Sequence, residues 1–259
     1  MDIARGWDLA AAGYESYYVP RFAPWVDTAV RAITGALPDG PILVPCCGTF
    51  PELDALVKSF PDREIVGIDL SEGMVRLARE RAAGLPRVRV VQGDASSLDD
   101  HRCAAVVSVF GLQQLPEPDA ALRSWASTLR PGGVLSVVFW PGNIETDGPF
   151  SLLSKVLRAH VPAGDRSWEE RLTVPGVVVD EDVAHPMSHP SAEEFFTAHT
   201  ESGPLRPLAD DRGPEFVARL REEFLRLAPS GEWRHRPRAR HIVARSTPKQ
   251  SLAPQQQTW

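Results

Sequence analysis

The side chains of this sequence that are best suited to ligand chemistry follow short apolar runs that are typical of buried strands. They are Cys46, Cys47 and Gly48 in one loop, Asp69 at the end of the next run, and Asp94 after the third. In open parallel sheets ligands bind at the carboxyl ends of the strands, so these residues are expected to converge. An acid after the second strand can accept hydrogen bonds from ribose hydroxyls, and one after the third can accept from an adenine amino group. The pattern predicts a nucleoside site.

The elements that must position these residues alternate between apolar strands and amphipathic helices. Near-continuous apolar strands of this kind imply a parallel sheet that is covered on both faces. Ser71 and Ser191 precede helical patterns and are expected to be N-caps. The predicted strands are 42–44, 64–70, 87–92, 103–109, 134–140, 177–185 and 238–245, and the predicted helices are 7–18, 21–37, 51–59, 71–83, 118–129, 149–159, 168–172, 191–200 and 214–227.

Composition bounds the class of protein. A formal charge of −6 disfavours nucleic-acid binding, which usually requires a basic excess. Three cysteines make no disulfide framework and favour a reducing compartment. No apolar run approaches the ~18–20 residues of a membrane span, and the first residues are not typical of a signal peptide. We therefore expect a cytoplasmic protein with neither a nucleic-acid nor a membrane partner.

Four segments, quoted as they stand, carry a family resemblance. They are ILVPCCGTF, IVGIDLSEGMVRLARERA, VVQGDASSL and VVSVFGLQQLPEPDAALRSWASTLRPGGVLSVVFW, all within residues 41–140. The chain resembles the class I S-adenosylmethionine-dependent methyltransferases of the small-molecule type. The resemblance implies an α/β, Rossmann-like, seven-stranded and mostly parallel sheet with helices on both faces. It also implies an N-terminal helical lid and a helical insertion before the last strand.

The resemblance suggests one methyltransferase-like domain over residues 1–245. Its expected parts are a lid at 1–40, a cofactor-binding core at 41–140, and a remainder at 141–245 that holds two further strands and a helical cap at about 186–233. Residues 246–259 are expected to form a flexible tail.

By resemblance, the cofactor is S-adenosylmethionine and the product is S-adenosylhomocysteine. The implied cofactor contacts are Cys46 and Gly48 at the methionine part, Asp69 at the ribose, Leu70 and Met74 near adenine, Asp94 and Ala95 at the adenine edge, and Phe110 at the sulfonium side.

On the acceptor side, Tyr14 and Tyr18 lie one helical turn apart in the lid and are expected to contact the acceptor. His189 is a candidate base. His185 and His189 have the spacing of a helical metal pair, but the neighbouring prolines argue against a helix, so no metal site is expected.

The loop departs from the family pattern at Val44, Cys46 and Phe50, where an acid and two glycines are usual. Glycine serves such positions because it permits a positive φ and close backbone approach. The bulk of Phe50 would, on this pattern, occupy cofactor space. A nicotinamide enzyme is disfavoured, because its loop needs three glycines and this one has only Gly48.

Three functions remain open at this point. The sequence favours a methyltransferase that acts on a small molecule by O-, N- or C-methylation in natural-product metabolism, such as antibiotic biosynthesis. The alternatives are a non-methylating cyclase or other enzyme on the same scaffold, and a non-catalytic binding protein. Self-association into a homo-oligomer is left open.

Overall fold

A computed structural model of the chain describes residues 3–98 and 102–247. Most of the predicted flexible tail lies outside the described residues. The helices are α1 (Ile3–Ala32), α2 (Leu53–Ser59), α3 (Glu72–Arg81), α4 (Pro118–Ser127), α5 (Pro149–Arg158), α6 (Ala192–Glu201), α7 (Arg206–Arg212) and α8 (Pro214–Leu227), with short 3-10 turns at Leu112–Gln114 and Ser167–Glu169. The strands are β1 (Ile42–Pro45), β2 (Ile65–Asp69), β3 (Val88–Gln92), β4 (Cys103–Val109), β5 (Leu129–Phe139), β6 (Val177–Ala184), β7 (Met187–His189), β8 (Trp233–His235) and β9 (Arg238–Arg245).

Seven strands form one sheet in the order β3-β2-β1-β4-β5-β9-β6. The strands from β3 to β5 are parallel, and β9 runs antiparallel to both of its neighbours. Alternate side chains of β1 enter separate cores on the two faces, Val44 with Phe50 on one and Leu43 with Trp125 on the other. The predicted Rossmann-like, mostly parallel sheet is confirmed.

Helix α1 corrects the prediction of two helices at 7–18 and 21–37. It is one helix of 30 residues that contains Pro20 and Pro24. An interior proline costs about 3 kcal/mol or more, because it removes a backbone donor and crowds the preceding turn. The helix persists because its apolar face is buried, and each large side chain on that face contributes about 1.5–3 kcal/mol. Trp25, which is fully buried, also donates from Nε1 to the Val183 carbonyl at 3.1 Å.

The fifth strand, predicted at 134–140, is longer than expected, because residues 129–133 also belong to it. Strand β5 already begins at Leu129, and its register with β4 shifts between Cys103 and Ala105. Both predicted N-caps are present, since Ser71 Oγ accepts from Met74 N and Ser191 Oγ accepts from Glu194 N, each at 3.1 Å.

Residues 187–235 form a helical layer above the carboxyl edge of the sheet. The short strands β7 and β8 pair antiparallel at its base, which the sequence pattern did not reveal, and α6, α7 and α8 lie between them. A Cβ at Gly13 would overlap Ser202 Oγ, and one at Gly6 would lie 2.5 Å from Pro207 Cγ. The two glycines of α1 therefore let this layer rest directly on the helix. No helix in the described ranges has the length and hydropathy to cross a membrane.

Candidate active site

A cavity of about 920 Å³ lies at the carboxyl edge of the sheet, between the strand-end loops, α1 and the helical layer. All eight residues predicted to contact the cofactor line it, and we call this region the cofactor half: Cys46, Gly48, Asp69, Leu70, Met74, Asp94, Ala95 and Phe110. A second group of lining residues, called the acceptor half, consists of Trp140, Phe150, Leu153, His199, Leu205 and Leu208. The polar side chains of Ser154, Arg158, Asp165 and Arg166 also line the cavity. The predicted Tyr14 and Tyr18 also line the cavity, and His189 does not.

The loop after β1 keeps the backbone path that glycines usually supply. Cys46, Gly48 and Phe50 have φ values of 55°, 53° and 68°, so all three lie in the left-handed region. That conformation costs a residue with a Cβ roughly 1–2 kcal/mol. The chain therefore accepts strain at Cys46 and Phe50 and preserves the shape of the loop.

The expectation that Phe50 would fill cofactor space is wrong. Its side chain is fully buried in the core beneath the loop and is not among the cavity-lining residues. Gly67 of β2 makes the room, since a Cβ there would lie 2.7 Å from Phe50 Cε1 and 2.9 Å from Cys47 Sγ. The loop has Phe50 where glycine is usual, and Gly67 in the neighbouring strand leaves the space that the Phe50 ring needs.

Asp69 fastens the loop to the start of α3. Its Oδ2 accepts from Gly48 N at 2.8 Å, and its Oδ1 accepts from Ser71 N at 3.0 Å. Burial raises the pKa of this carboxyl, while the backbone donors oppose the shift. The carboxylate is held at the mouth of the cavity, at the carboxyl end of β2.

Asp8 is a site residue that the sequence reasoning missed. Its Oδ1 accepts from Ser71 Oγ at 2.6 Å and from Gly73 N at 3.0 Å. This contact docks the start of α1 on the start of α3, where the free N–H groups of a helix favour a negative charge. An acid in the first turns of a predicted lid helix is the only signal that the sequence offered.

The predicted adenine side is apolar and half open. Leu70 is 53% exposed although it lines the cavity, whereas Met74 is 3% exposed. Asp94 Oδ1 accepts from Ser96 N at 2.8 Å, and the Ala95 carbonyl accepts from Trp125 Nε1 at 2.7 Å. The loop after β3 is therefore held by the core that contains Trp125. The exposed Leu70 lines the same cavity as this loop.

A ladder of aromatic rings on α1 forms one wall. Successive ring centroids from Trp7 through Tyr14 and Tyr18 to Phe22 are 5.8, 5.5 and 5.4 Å apart. Burial, followed by the nearby Glu52 carboxyl, raises the pKa of Tyr14, and burial likewise raises the pKa of Tyr18. Both phenols are therefore neutral donors.

A second aromatic wall begins at Phe110, which has a φ of 59° at the end of β4. Its ring stacks on Trp140 with centroids 4.1 Å apart and planes 4° apart. The ring centroid of Phe150 lies 5.5 Å from that of Trp140. Trp140 and Phe150 were not predicted as site residues, although the position of Trp140 just after the fifth strand was a usable signal.

His189 lies in a buried hydrogen-bonded chain outside the cavity. Its Nδ1 is 2.7 Å from Tyr17 Oη, its Nε2 is 3.0 Å from His235 Nε2, and His235 Nδ1 is 2.7 Å from Glu145 Oε2. Burial, followed by His235, lowers the pKa of His189 to about 2. Because both ring nitrogens are engaged and the ring does not line the cavity, the geometry offers no route by which His189 acts as a base on an acceptor there.

Comparisons with known proteins match the core of the chain. Residues 42–133 match the family described as a methyltransferase domain. A demethylmenaquinone methyltransferase of Staphylococcus carnosus is 37% identical over 92 residues, which are 34% of this chain and 38% of that protein. One from Staphylococcus aureus is 35% identical over 125 residues, 47% of this chain and 49% of that protein. The chain thus spans about half or less of these relatives.

Solved structures match nearly the whole fold. The [4+2]-cyclase SpnF has a TM-score of 0.60 and 22% identity, over 95% of this chain and 96% of that chain. Geranyl diphosphate C-methyltransferase from Streptomyces coelicolor has a TM-score of 0.52 and 13% identity, over 87% and 76%. Fold and cavity define a protein with the class I methyltransferase fold. Residues 42–133 are the part of the chain that is similar to the methyltransferase domain family.

Proposed function

We propose that this protein transfers the methyl group of S-adenosylmethionine to a small acceptor bound in the acceptor half of the cavity. The observation that carries the proposal is the position of Asp69, fixed by Gly48 N and Ser71 N beside a loop that keeps its left-handed path. A cavity of about 920 Å³ lies within the usual range for sites that hold small molecules, roughly 300–1,000 Å³.

The cofactor half suits the parts of this cofactor. Asp69 would accept from the ribose hydroxyls, and the exposed Leu70 would be covered by the adenine ring together with Met74 and Ala95. Asp94 would accept from the adenine amino group. Cys46 and Gly48 would flank the methionine part. The faces of aromatic rings attract cations, so the stacked Phe110 would favour a sulfonium.

When bound, the cofactor supplies a methyl group on a good leaving group, so the protein has little covalent chemistry to perform. The aromatic walls exclude water and hold the acceptor in line with the methyl carbon. Such positioning supplies up to about 7–11 kcal/mol of the barrier in favourable cases. Tyr14 and Tyr18, neutral donors on the rigid α1, would orient polar groups of the two ligands.

Titration calorimetry with S-adenosylmethionine and S-adenosylhomocysteine tests the proposal. We expect wild type to bind both and Asp69→Ala to bind at least about tenfold more weakly, because two ribose hydroxyls lose a charged acceptor worth roughly 1.5–3 kcal/mol. Asp62→Ala, an exposed aspartate in a turn, is the matched control. Absence of wild-type binding at millimolar ligand, or unchanged binding by Asp69→Ala, would overturn the proposal.

The curated relatives act on demethylmenaquinone by their names, but their matched segments fall short of a whole-chain comparison. These relatives support the proposal that the cofactor is S-adenosylmethionine more strongly than they support any particular methyl acceptor. A natural-product setting, a cytoplasmic location and a homo-oligomer stay predictions of the sequence.

A non-methylating cyclase is the second candidate, and the similarity to SpnF over 95% of this chain favours it. The left-handed backbone that the loop retains at Cys46, Gly48 and Phe50 counts against the cyclase, because the loop keeps the shape expected of a methyltransferase. Mass spectrometry of a reaction with substrate separates the two. S-adenosylhomocysteine released in step with product rejects the cyclase, whereas turnover without it rejects the methyltransferase.

A further inference from the structure

One neutral proton acceptor lines the acceptor half. His199 of α6 is 3% exposed and belongs to the cavity wall. Its Nδ1 lies 2.9 Å from the Phe195 carbonyl, which can only accept, so the ring proton resides on Nδ1. Burial lowers the pKa of His199 to about 4, and the ring is neutral near pH 7. Its Nε2 therefore carries a lone pair, with no hydrogen-bond partner in ranges 3–98 and 102–247.

One unpartnered donor stands beside that acceptor. Tyr18 is 2% exposed and lines the same cavity, and its buried Oη has no hydrogen-bond partner among the described residues. The Tyr18 and His199 rings meet edge to face with centroids 5.5 Å apart. A Cβ at Gly203 would lie 2.5 Å from Tyr18 Oη, so the glycine makes room for the hydroxyl itself. Buried polar groups are nearly always satisfied, so the Tyr18 hydroxyl indicates a missing partner.

Two rows of rings connect this pair to the cofactor half. On α1, the Tyr14 and Tyr18 centroids are 5.5 Å apart, and Tyr18 then meets His199. On the opposite wall, Phe110 stacks on Trp140, Trp140 meets Phe150, and Phe150 lies 5.5 Å from His199. The histidine thus closes an aromatic box that starts at the predicted sulfonium side.

We propose that the acceptor is an apolar hydroxyl compound, that its oxygen lies between Tyr18 Oη and His199 Nε2, and that His199 is the catalytic base. The inference rests on the proposed methyl transfer. A hydroxyl oxygen accepts from the phenol and donates to the imidazole at once. A protonated amine has no lone pair to accept with, and the reacting atom of a carbon nucleophile presents neither group.

The step balances within the site. The hydroxyl proton moves to His199 Nε2 as the oxygen forms a bond to the methyl carbon. The methyl–sulfur bond breaks, and its electron pair stays on sulfur, which becomes a neutral thioether. The positive charge leaves the sulfonium and reappears on the imidazolium, so the net charge of the buried site is unchanged.

The probes are 1-naphthol and 1-methoxynaphthalene, which differ only in the hydroxyl proton and its methyl replacement. Their affinities are measured by fluorescence titration with S-adenosylhomocysteine saturating. We expect wild type to prefer 1-naphthol by about tenfold, the effect of one hydrogen bond. His199→Asn keeps a donor for the Phe195 carbonyl and lacks the cavity-facing nitrogen, so the preference should disappear. Tyr18→Phe should instead weaken the binding of both probes, because each presents an oxygen that accepts from the phenol. His160→Asn, the same change at a histidine outside the cavity lining, should keep the preference.

Calorimetry with S-adenosylhomocysteine separates the two levels of failure. A wild type that does not bind it overturns the proposed function itself. A wild type that binds it but treats the probes alike, or binds neither, overturns the hydroxyl acceptor alone. Retention of the full preference by a folded His199→Asn variant that binds S-adenosylhomocysteine also overturns it.

Discussion

Glu145 Oε2 and His235 Nδ1 lie 2.7 Å apart, with both side chains almost wholly buried at 5% and 3% exposure. The other carboxylate oxygen, Oε1, accepts from Phe150 N at 2.7 Å at the first turn of α5. Through His235 and His189 the same carboxylate reaches Tyr17 of α1. One acid therefore joins α5, the β7–β8 pair and α1.

Glu145→Ala should destabilise the fold by about 3 kcal/mol. The change leaves His235 Nδ1 and the Phe150 amide buried without an acceptor, and losing one member of a buried network costs roughly 3–5 kcal/mol when charges are involved. Urea unfolding measures it, with the exposed Glu170→Ala as the control. A loss below about 0.5 kcal/mol, the range of ordinary surface changes, would contradict the network.

Acid should destabilise the protein in a window set by two histidines. The pKa of His189 falls from 6.5 to about 2, and that of His199 from 6.5 to about 4. Each of these rings thus binds more protons in the unfolded chain below pH 6.5, whereas Glu52, whose pKa burial raises to about 8, binds more in the folded chain. The stability that the two rings contribute is complete above pH 6.5 and is lost as the pH falls towards the folded values, by about 1.4 kcal/mol per pH unit for each ring.

Urea unfolding at pH 7, 6 and 5 checks this slope. His199→Asn removes one of the titrating rings and should make the slope shallower by one proton. A slope that the variant leaves unchanged would refute the assignment.

Gly67→Ala should cost about 1–3 kcal/mol through overpacking against Phe50 Cε1. Gly93→Ala is the matched control, because a Cβ there meets only Ile68 Cγ2 at 4.0 Å. Adding Phe50→Gly should relieve the clash, so the double variant should lose less stability than the two single losses added together. Additive losses in this cycle would show that the two positions do not share space.

Gly13→Ala should lower the unfolding free energy by about 1–3 kcal/mol, because the new Cβ overlaps Ser202 Oγ and pushes the helical layer away from α1. Gly35→Ala, where a Cβ meets nothing within 4 Å, provides the control. Thermal unfolding of both variants measures the difference. Equal melting temperatures would argue against close packing at Gly13.

The sheet and the strand-end residues could be predicted because their signals are local. Buried parallel strands are apolar throughout, and Asp69 and Asp94 interrupt the pattern where each strand ends. The continuity of α1 could not be predicted in this way. Intrinsic propensity breaks a helix at Pro20, and only burial of the whole apolar face against the sheet overrides it.

The acceptor half depends on tertiary placement. His199 lies in the last turn of an amphipathic helix, and nothing in its sequence neighbourhood separates it from a packed core histidine. His189 was the more conspicuous residue because of its spacing from His185, yet β7 turns it into the buried chain with Tyr17. Phe50 was misjudged for a similar reason, since its fit depends on Gly67 in another strand.

Helix α1 carries Tyr14 against the cofactor half and Tyr18 with Phe22 against the acceptor half, without a break between them. A displacement of the helix by either ligand therefore moves the walls of both sites. By thermodynamic linkage, if the first ligand changes the affinity for the second by some factor, the second ligand changes the affinity for the first by the same factor. The order in which the two ligands bind would then depend on the position of this one helix. Inhibition by a product that has not yet dissociated would depend on it as well.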